Sequence, residues 1–264
     1  MIVNLNSVIN GFVSPFGIEI KRRNSSSRKL RDAVGEMEQL LRATMFPDLP
    51  QGNGRQELMT QLMGTSLSEA FYLVSHLNQV LSLGGVVCEF GVAQGATSAV
   101  IANEIRGTDK ELWLFDSFEG LPKPTDRDKL IDDVFDLGSM EKYQGTMAYG
   151  KHQVIDRLKS IQFPLERVKV VPGFIETTAT SANLPKEVCF AYVDFDFYEP
   201  IKIVLELLDS RLPVGGVFIV DDYGFFSEGA QAAVDEFVEG HRQRYTKEPS
   251  PEWAGHFCVL TRSV

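Results

Sequence analysis

The stretch GGVVCEFGVAQGATS, residues 84–98, decides the fold. Two glycines close a helical pattern and an apolar run follows. Gly91 and Gly95 then bracket a turn before a new helical pattern begins at Thr97. A run that is apolar at nearly every position suits a strand covered on both faces, as in the centre of a parallel sheet. A strand feeding a helix through a glycine turn is half of a βαβ unit. The same punctuation recurs: ELWLFD (111–116), RVKVVPG (167–173), VCFAYVD (188–194) and GGVFIVDD (215–222) are further apolar runs. Helical patterns separate them, from Thr97 to about Arg106, near 150–160, over Pro200–Ser210 and over Ala230–Glu239. RYTKE (244–248) and GHFCVLTR (255–262) end the pattern as two strands joined by a short loop containing proline. The expected fold is α/β: a mostly parallel seven-stranded sheet, helices on both faces, and a C-terminal antiparallel hairpin.

Upstream, NSSSRK (24–29) is a polar break from which a helix is expected to run to about Met45, followed by the loop PDLPQGNGR (47–55). Ser66 and Glu69 have capping-box spacing, and Leu67, Ala70, Phe71, Val74, Leu77 and Leu81 fall on one helical face. The expected division is an N-terminal extension of helix and loop, 1–60, and a single catalytic-type domain, 61–264. Its segment 122–150 is long, acidic and weakly periodic, as expected of either a lid or a surface insertion.

With 264 residues, 44% of them hydrophobic and 23% charged, the chain can build one large α/β core. Its 36 acidic against 26 basic residues leave a net charge of −10. No basic surplus is present to displace counterions, which argues against nucleic acid or an anionic membrane as a general partner. Cys88, Cys189 and Cys258 each lie in a strand pattern without CxxC or CxxH spacing, so buried free thiols are expected and zinc is not. VINGFVSPFGIEI (8–20) is apolar, but it is too short to span a bilayer and is broken by Pro15, two glycines and Asn10. Its basic group, Lys21-Arg22-Arg23, follows the run instead of preceding it. The expectation is a cytoplasmic protein without a transmembrane segment, whose extension packs on the domain or on a second copy in a homodimer.

Ligands of open α/β sheets bind outside the carboxyl ends of the strands, so the strand ends carry the functional reading. The first ends in the glycine turn Gly91–Gly95, whose G-x-x-x-G spacing differs from the G-x-G-x-x-G of dinucleotide binding. The second ends in Asp116, about twenty residues past Gly95, where a carboxylate can accept from both hydroxyls of a ribose. After the third, Gly173-Phe174 offers an open turn and an aromatic wall for a base. The fourth delivers Asp194 and the fifth Asp221-Asp222. If those strands are neighbours the three carboxylates converge, and hard oxygen donors suit Mg²⁺, Mn²⁺ or Ca²⁺. Asp196 is expected to support the loop, cap the helix that begins near Pro200, or touch substrate.

Glu89-Phe-Gly-Val-Ala-Gln-Gly95, Phe115-Asp-Ser-Phe-Glu-Gly-Leu-Pro122, Val193-Asp-Phe-Asp-Phe-Tyr198 and Gly216-Val-Phe-Ile-Val-Asp-Asp-Tyr223 stand in that order. Together they resemble the macrocin/mycinamicin-type sugar O-methyltransferases, over about residues 60–262. These are metal-dependent enzymes that use S-adenosylmethionine on a class I methyltransferase (Rossmann-like) fold. The resemblance implies that Glu89, Gly91, Gln94 and Gly95 surround the methionyl part and ribose of S-adenosylmethionine. Asp116 would hold the ribose hydroxyls with Ser117 beside it, and Gly173 and Phe174 would lie near adenine. Asp194, Asp221 and Asp222 would hold Mg²⁺ (or Mn²⁺), with two adjacent hydroxyls of a small-molecule or glycan acceptor completing its shell. Catechol-type relatives carry a lysine three residues after the fourth-strand aspartate. Phe197 stands there in this chain, so the proton acceptor is assigned to Asp194, with His152 or His241 as the reserve.

Two other classes compete with that reading. A D-x-D after an apolar strand also marks metal-dependent glycosyltransferases, but that leaves the Gly91/Gly95 turn, Asp116 and Asp221-Asp222 without a task. A non-enzymatic scaffold leaves all of them idle. Among acceptors, a natural-product glycoside, a nucleotide-linked sugar, a polysaccharide unit and a non-sugar vicinal diol all stay open.

Overall fold

The computed structural model describes residues 25–180 and 183–264. The readings of 8–20 and of Lys21-Arg22-Arg23 lie outside the described residues. Helix α1 (Ser25–Thr44), the short α2 (Arg55–Met59) and α3 (Leu67–Val80) precede the alternating part. Strand β1 (Val86–Phe90), α4 (Ala96–Glu104), β2 (Leu112–Asp116), α5 (Lys151–Ser160), β3 (Val168–Pro172), α6 (Ile175–Thr178) and β4 (Val188–Val193) then follow. The chain continues through α7 (Tyr198–Asp209), β5 (Val217–Val220), α8 (Glu228–Gly240), β6 (Tyr245–Pro249) and β7 (Cys258–Arg262). The seven strands form one sheet in the order β3-β2-β1-β4-β5-β7-β6. The first five are parallel, β7 runs antiparallel to β5, and β6 pairs antiparallel on β7. The expected class I methyltransferase-type architecture is the one observed.

Strand alternation splits the core in two. Val87, Leu112, Leu114, Phe190, Tyr192 and Ile219 pack on the face covered by α3, α4 and α5. Their neighbours Cys88, Phe115, Ala191, Val193, Phe218 and Val220 pack on the face covered by α7 and α8. Each side chain of this kind that is fully withdrawn from water contributes on the order of 1.5–3 kcal/mol, which is why these strands carry almost no polar residue. Glu89 is the fully buried exception. The three cysteines are buried and free.

Residues 25–60 are tied to this core. Val34, Leu41, Leu49, Leu58 and Met59 belong to the same apolar cluster as β1 and β4. The Arg55 side chain is fully buried between two carboxylates, donating from Nη1 to Glu38 at 2.6 Å and from Nη2 to Glu104 at 2.5 Å. Its Nε bonds the other oxygen of Glu104 at 2.8 Å, so the α4 partner is held bidentately. Arg55 begins a short helix at the end of the stretch read from sequence as loop.

Candidate active site

The carboxyl ends of β1, β2, β4 and β5 open into a cavity of about 460 Å³. Ligand sites of open α/β sheets form at this end of the strands, and the volume falls in the range of small-molecule pockets. Gly91, Gln94, Asp116, Ser117, Gly173 and Phe174 line one side, and Asp194, Asp196, Asp221 and Asp222 line another.

Gly91 is required at the end of β1. Its φ is +85°, and a Cβ there would lie 1.7 Å from the carbonyl oxygen of Asp194. Only a glycine lets β1 and β4 end this close together. Asp116 then organises the turn: one oxygen accepts from the backbone N–H of Val92 at 2.7 Å and of Ala93 at 2.9 Å. The other accepts from Phe118 N at 2.6 Å. A carboxylate has about four acceptor sites, so one remains for a ligand hydroxyl. The expected contact with both ribose hydroxyls is therefore narrowed by what Asp116 already does for the backbone. Ser117 closes the next turn, donating to Gly120 O at 2.8 Å.

Two of the residues expected at the cofactor stand elsewhere. Glu89 is fully buried on the α4 side of the sheet, accepting from Ser98 Oγ, because alternation turns it away from the cavity. Burial pushes its carboxyl up to about 8, and its Oε1 is without a hydrogen-bond partner. Gly95 begins α4 at φ +76° beneath Val154 and is not part of the cavity wall.

The acidic group differs in membership from the sequence expectation. Oxygens of Asp194, Asp196 and Asp222 all lie within 4.8 Å of one another. Asp196 comes into the group because its backbone turns left-handed, φ +61°, immediately after β4, and Asp222 does the same at φ +56° after β5. Aspartate tolerates this region better than most residues, yet two such turns side by side store strain at the site. Asp221 faces a different set of partners. Its Oδ2 accepts from Tyr192 Oη at 2.6 Å and its Oδ1 from Asp222 N at 2.8 Å.

Beneath Asp221 lies a residue that the sequence reading used only as a cap. Ser66 does accept from Glu69 N at 3.1 Å. The Glu69 side chain, however, is buried against the sheet, 2.9 Å from Tyr192 Oη. The single phenolic hydroxyl of Tyr192 thus lies within donating distance of both Glu69 and Asp221, so the two carboxylates compete for one proton. Burial, followed by the charge of Asp221, holds Glu69 well above the usual carboxylate range.

Electrostatically the cluster is under load. Burial, then the charges of Asp221, Asp196 and Asp222, raise Asp194 well above its ordinary value. Burial, then Asp196 and Asp221, do the same to Asp222. Asp196 is pushed up to about 7, chiefly by burial. Carboxylates packed this way resist ionising together unless a cation lies among them. Three convergent hard oxygen donors fit Mg²⁺ or Mn²⁺. Asp116, with the apolar wall of Phe174 and Ile175 beside it, likewise fits a nucleoside.

The segment 122–150 forms a strap over the cavity. Asp128 is buried and accepts from Tyr198 N at 2.7 Å, capping α7 from outside, while its other oxygen accepts from Thr125 N at 2.8 Å. Ile131 N donates to Phe226 O at 3.0 Å. At the far end Tyr143 is fully buried, and Leu121 and Thr146 are joined by a backbone bond of 2.9 Å. Between these anchors Val134 and Phe135 line the cavity. Of the reserve bases, His241 packs on Phe237 at the end of α8 and His152 lies in the first turn of α5; neither lines the cavity. His256 stacks on Phe225 at 4.5 Å, with Phe225 forming part of the wall.

The family model described as Macrocin-O-methyltransferase (TylF) matches residues 69–249. The chain is 29% identical over 164 residues to 8-demethyl-8-(2,3-dimethoxy-alpha-L-rhamnosyl)-tetracenomycin-C 4'-O-methyltransferase of Streptomyces olivaceus, covering 61% of this chain and 59% of that protein. It is 28% identical over 164 residues to mycinamicin III 3''-O-methyltransferase of Micromonospora griseorubida, covering 60% and 61%. The matched stretch thus spans about three fifths of the length of these curated relatives. Among solved structures, the O-methyltransferase NovP superposes with a TM-score of 0.64 at 20% identity, over 75% of this chain and 81% of that one, a likeness of fold.

Proposed function

The chain belongs to the macrocin-O-methyltransferase family, and we propose that it transfers a methyl group from S-adenosylmethionine to a sugar hydroxyl of a glycosylated product. The observation that carries this reading is one cavity with two kinds of wall. A glycine turn organised by Asp116 faces a cluster of Asp194, Asp196 and Asp222.

S-adenosylmethionine supplies an already activated methyl on a sulfonium, so the hydroxyl is the partner that needs help. Asp116, the Gly91 turn, Gly173 and Phe174 hold the nucleoside side. Asp194, Asp196 and Asp222 would hold Mg²⁺ or Mn²⁺, with Asp221 fixed next to them by Tyr192. A divalent cation held there would supply Lewis acidity that lowers the pKa of an acceptor hydroxyl. In the reaction the carbon–sulfur bond breaks as the carbon–oxygen bond forms, and the hydroxyl proton leaves to a base. Asp194, at the end of β4 in this group, is assigned the role of proton acceptor. Phe225 and Phe226 give the wall beside the cluster an apolar surface.

Calorimetric titration with S-adenosylhomocysteine, set against a nucleoside diphosphate, tests the class. The methyltransferase reading expects the first to bind and Asp116→Ala to weaken it at least tenfold. Binding of the nucleoside diphosphate alone would transfer the site to the glycosyltransferase reading. Asp194→Asn and Asp196→Asn test the cluster as a whole: each should lose methyl transfer while S-adenosylhomocysteine affinity is kept.

A further inference from the structure

The turn that brings Asp196 into the acidic cluster is held from outside its own strand. Asp196 sits at φ +61° in the middle of a three-residue turn, closed by Phe197 N donating to Phe195 O at 2.5 Å. A turn this tight with a positive φ at its centre is strained and persists only where its surroundings fix it. Helix α7 begins at the next residue, and its cap position, Phe197, offers no side-chain acceptor to the first turn. That task falls to Asp128 of the strap, 70 residues away, whose Oδ1 accepts from Tyr198 N at 2.7 Å.

The surroundings of Asp128 fit this task. It is 3% exposed, and its Oδ2 accepts from Thr125 N and Thr125 Oγ1, both at 2.8 Å, which fixes the direction of the carboxylate. A Cβ at Gly229 would lie 2.0 Å from Oδ1, so the first turn of α8 leaves room for that oxygen. On the same side Ile131 N donates to Phe226 O at 3.0 Å and Glu228 N to Lys129 O at 2.9 Å. The stretch 128–131 therefore lies across the starts of α7 and α8, and the loops leading into those helices carry Asp194, Asp196 and Asp222. Phe197 and Phe226, at the ends of these loops, stack 6.0 Å apart in one apolar cluster with Met140 and Tyr143 of the strap.

We propose that Asp128 is a positioning residue: through Tyr198 N it holds the Asp196 turn in the shape in which the three carboxylates can share one divalent cation. Asp128 does not line the cavity and acts through the backbone of α7. That role rests on the cation site proposed above and adds a support for it from the 122–150 segment. Cation binding and the anchoring of the strap are then coupled in both directions, since each favours the same arrangement of the turn.

Mn²⁺ binding to the full chain, followed by electron paramagnetic resonance well below the melting temperature, tests this without any acceptor. Asp128→Ala should weaken Mn²⁺ at least about tenfold, the lower end of what supports of metal ligands contribute. Its S-adenosylhomocysteine affinity should stay within about twofold, because the Asp116 side of the cavity shares no partner with Asp128. Asp128→Asn keeps an acceptor for Tyr198 N and should stay within about threefold of the parent for Mn²⁺. Arg127→Ala loosens the neighbouring latch to Glu236 without touching Tyr198 N, and should leave Mn²⁺ affinity within about twofold. Thr125→Val removes only the hydroxyl that steers Asp128 and should weaken Mn²⁺ about threefold. Unchanged Mn²⁺ affinity in a folded Asp128→Ala overturns the proposal, as does unchanged affinity in Thr125→Val where Asp128→Ala does not fold. An equal loss in Asp128→Asn would assign the effect to charge, and an equal loss in Arg127→Ala to the strap as a whole; either overturns it. A parent chain that binds S-adenosylhomocysteine and no Mn²⁺ overturns the cation site together with this role, and leaves the methyltransferase reading standing.

Discussion

Replacing Asp196 by asparagine is expected to stabilise the metal-free protein, and to do so more at high pH than at low. Asparagine suits the position because it tolerates the left-handed φ of +61° as well as aspartate does, leaving the charge as the main change. The Asp196 carboxyl is held at about 7, against an ordinary 3.8, chiefly by burial. A raised acid of this kind costs nothing below its unfolded value. The penalty grows as pH rises between the two values and is complete above the folded one. At about 1.4 kcal/mol for each pH unit, the upper bound is about 4 kcal/mol at pH 8, falling to less than half of that at pH 5. Proton sharing with Asp194 and Asp222 reduces the realised gain to about 1–2 kcal/mol, or roughly 2–8 °C in Tm for a chain of this size. Melting curves in chelator at pH 5 and pH 8 measure it. Adding Mn²⁺ should then raise the parent more than the variant, because binding to the native state alone is stabilising. A variant that melts at or below the parent at pH 8 in chelator would refute the picture of a strained acidic cluster. A gain independent of pH would refute it equally.

Other perturbations probe the supports of the site. Gly91→Ala places a Cβ 1.7 Å from Asp194 O at a φ of +85°, and should cost more than about 3 kcal/mol while weakening S-adenosylhomocysteine and Mn²⁺ together; parental affinity for both would contradict it. Tyr192→Phe leaves Glu69 and Asp221 without their shared hydroxyl, and should lower stability by about 1–3 kcal/mol and reduce the Mn²⁺-induced rise in Tm; an unchanged melt and Mn²⁺ response would show the hydroxyl to be dispensable. Arg55→Met strands Glu38 and Glu104 in the core, at about 3–5 kcal/mol, or roughly 6–20 °C in one cooperative melt. Replacing all three by methionine should recover most of that loss, and a two-step melt would show residues 25–60 to unfold separately.

The strand ends were legible because fully buried parallel strands leave apolar runs that no other element imitates. Each of the five parallel strands lies inside its run, as VVCEF does inside GVVCEFG. What the residues of the site do was less legible, for three physical reasons. Sequence leaves Asp196 among loop support, helix cap and substrate contact, since alternation stops predicting direction once the backbone turns left-handed. Glu69 was explained locally by capping-box spacing, which hid a side chain that reaches 123 residues along the chain to Tyr192. Glu89, in contrast, could have been placed from alternation: it shares a face with Val87, and Val87 faces the helices, not the cavity. The strap is only weakly periodic. Its order comes from single polar contacts such as Asp128 to Tyr198 N, 70 residues apart, which leave no pattern in sequence.

The central claim is methyl transfer to a hydroxyl at the aspartate cluster. Transfer of labelled methyl from S-adenosylmethionine to an aryl glycoside, measured with Mg²⁺ and again after chelation, tests it most directly. A methyl ether on the sugar is expected with Mg²⁺ present, with loss of at least nine tenths of the rate in chelator and restoration by added Mg²⁺ or Mn²⁺. Methylation at full rate in chelator would contradict the role given to Asp194, Asp196 and Asp222.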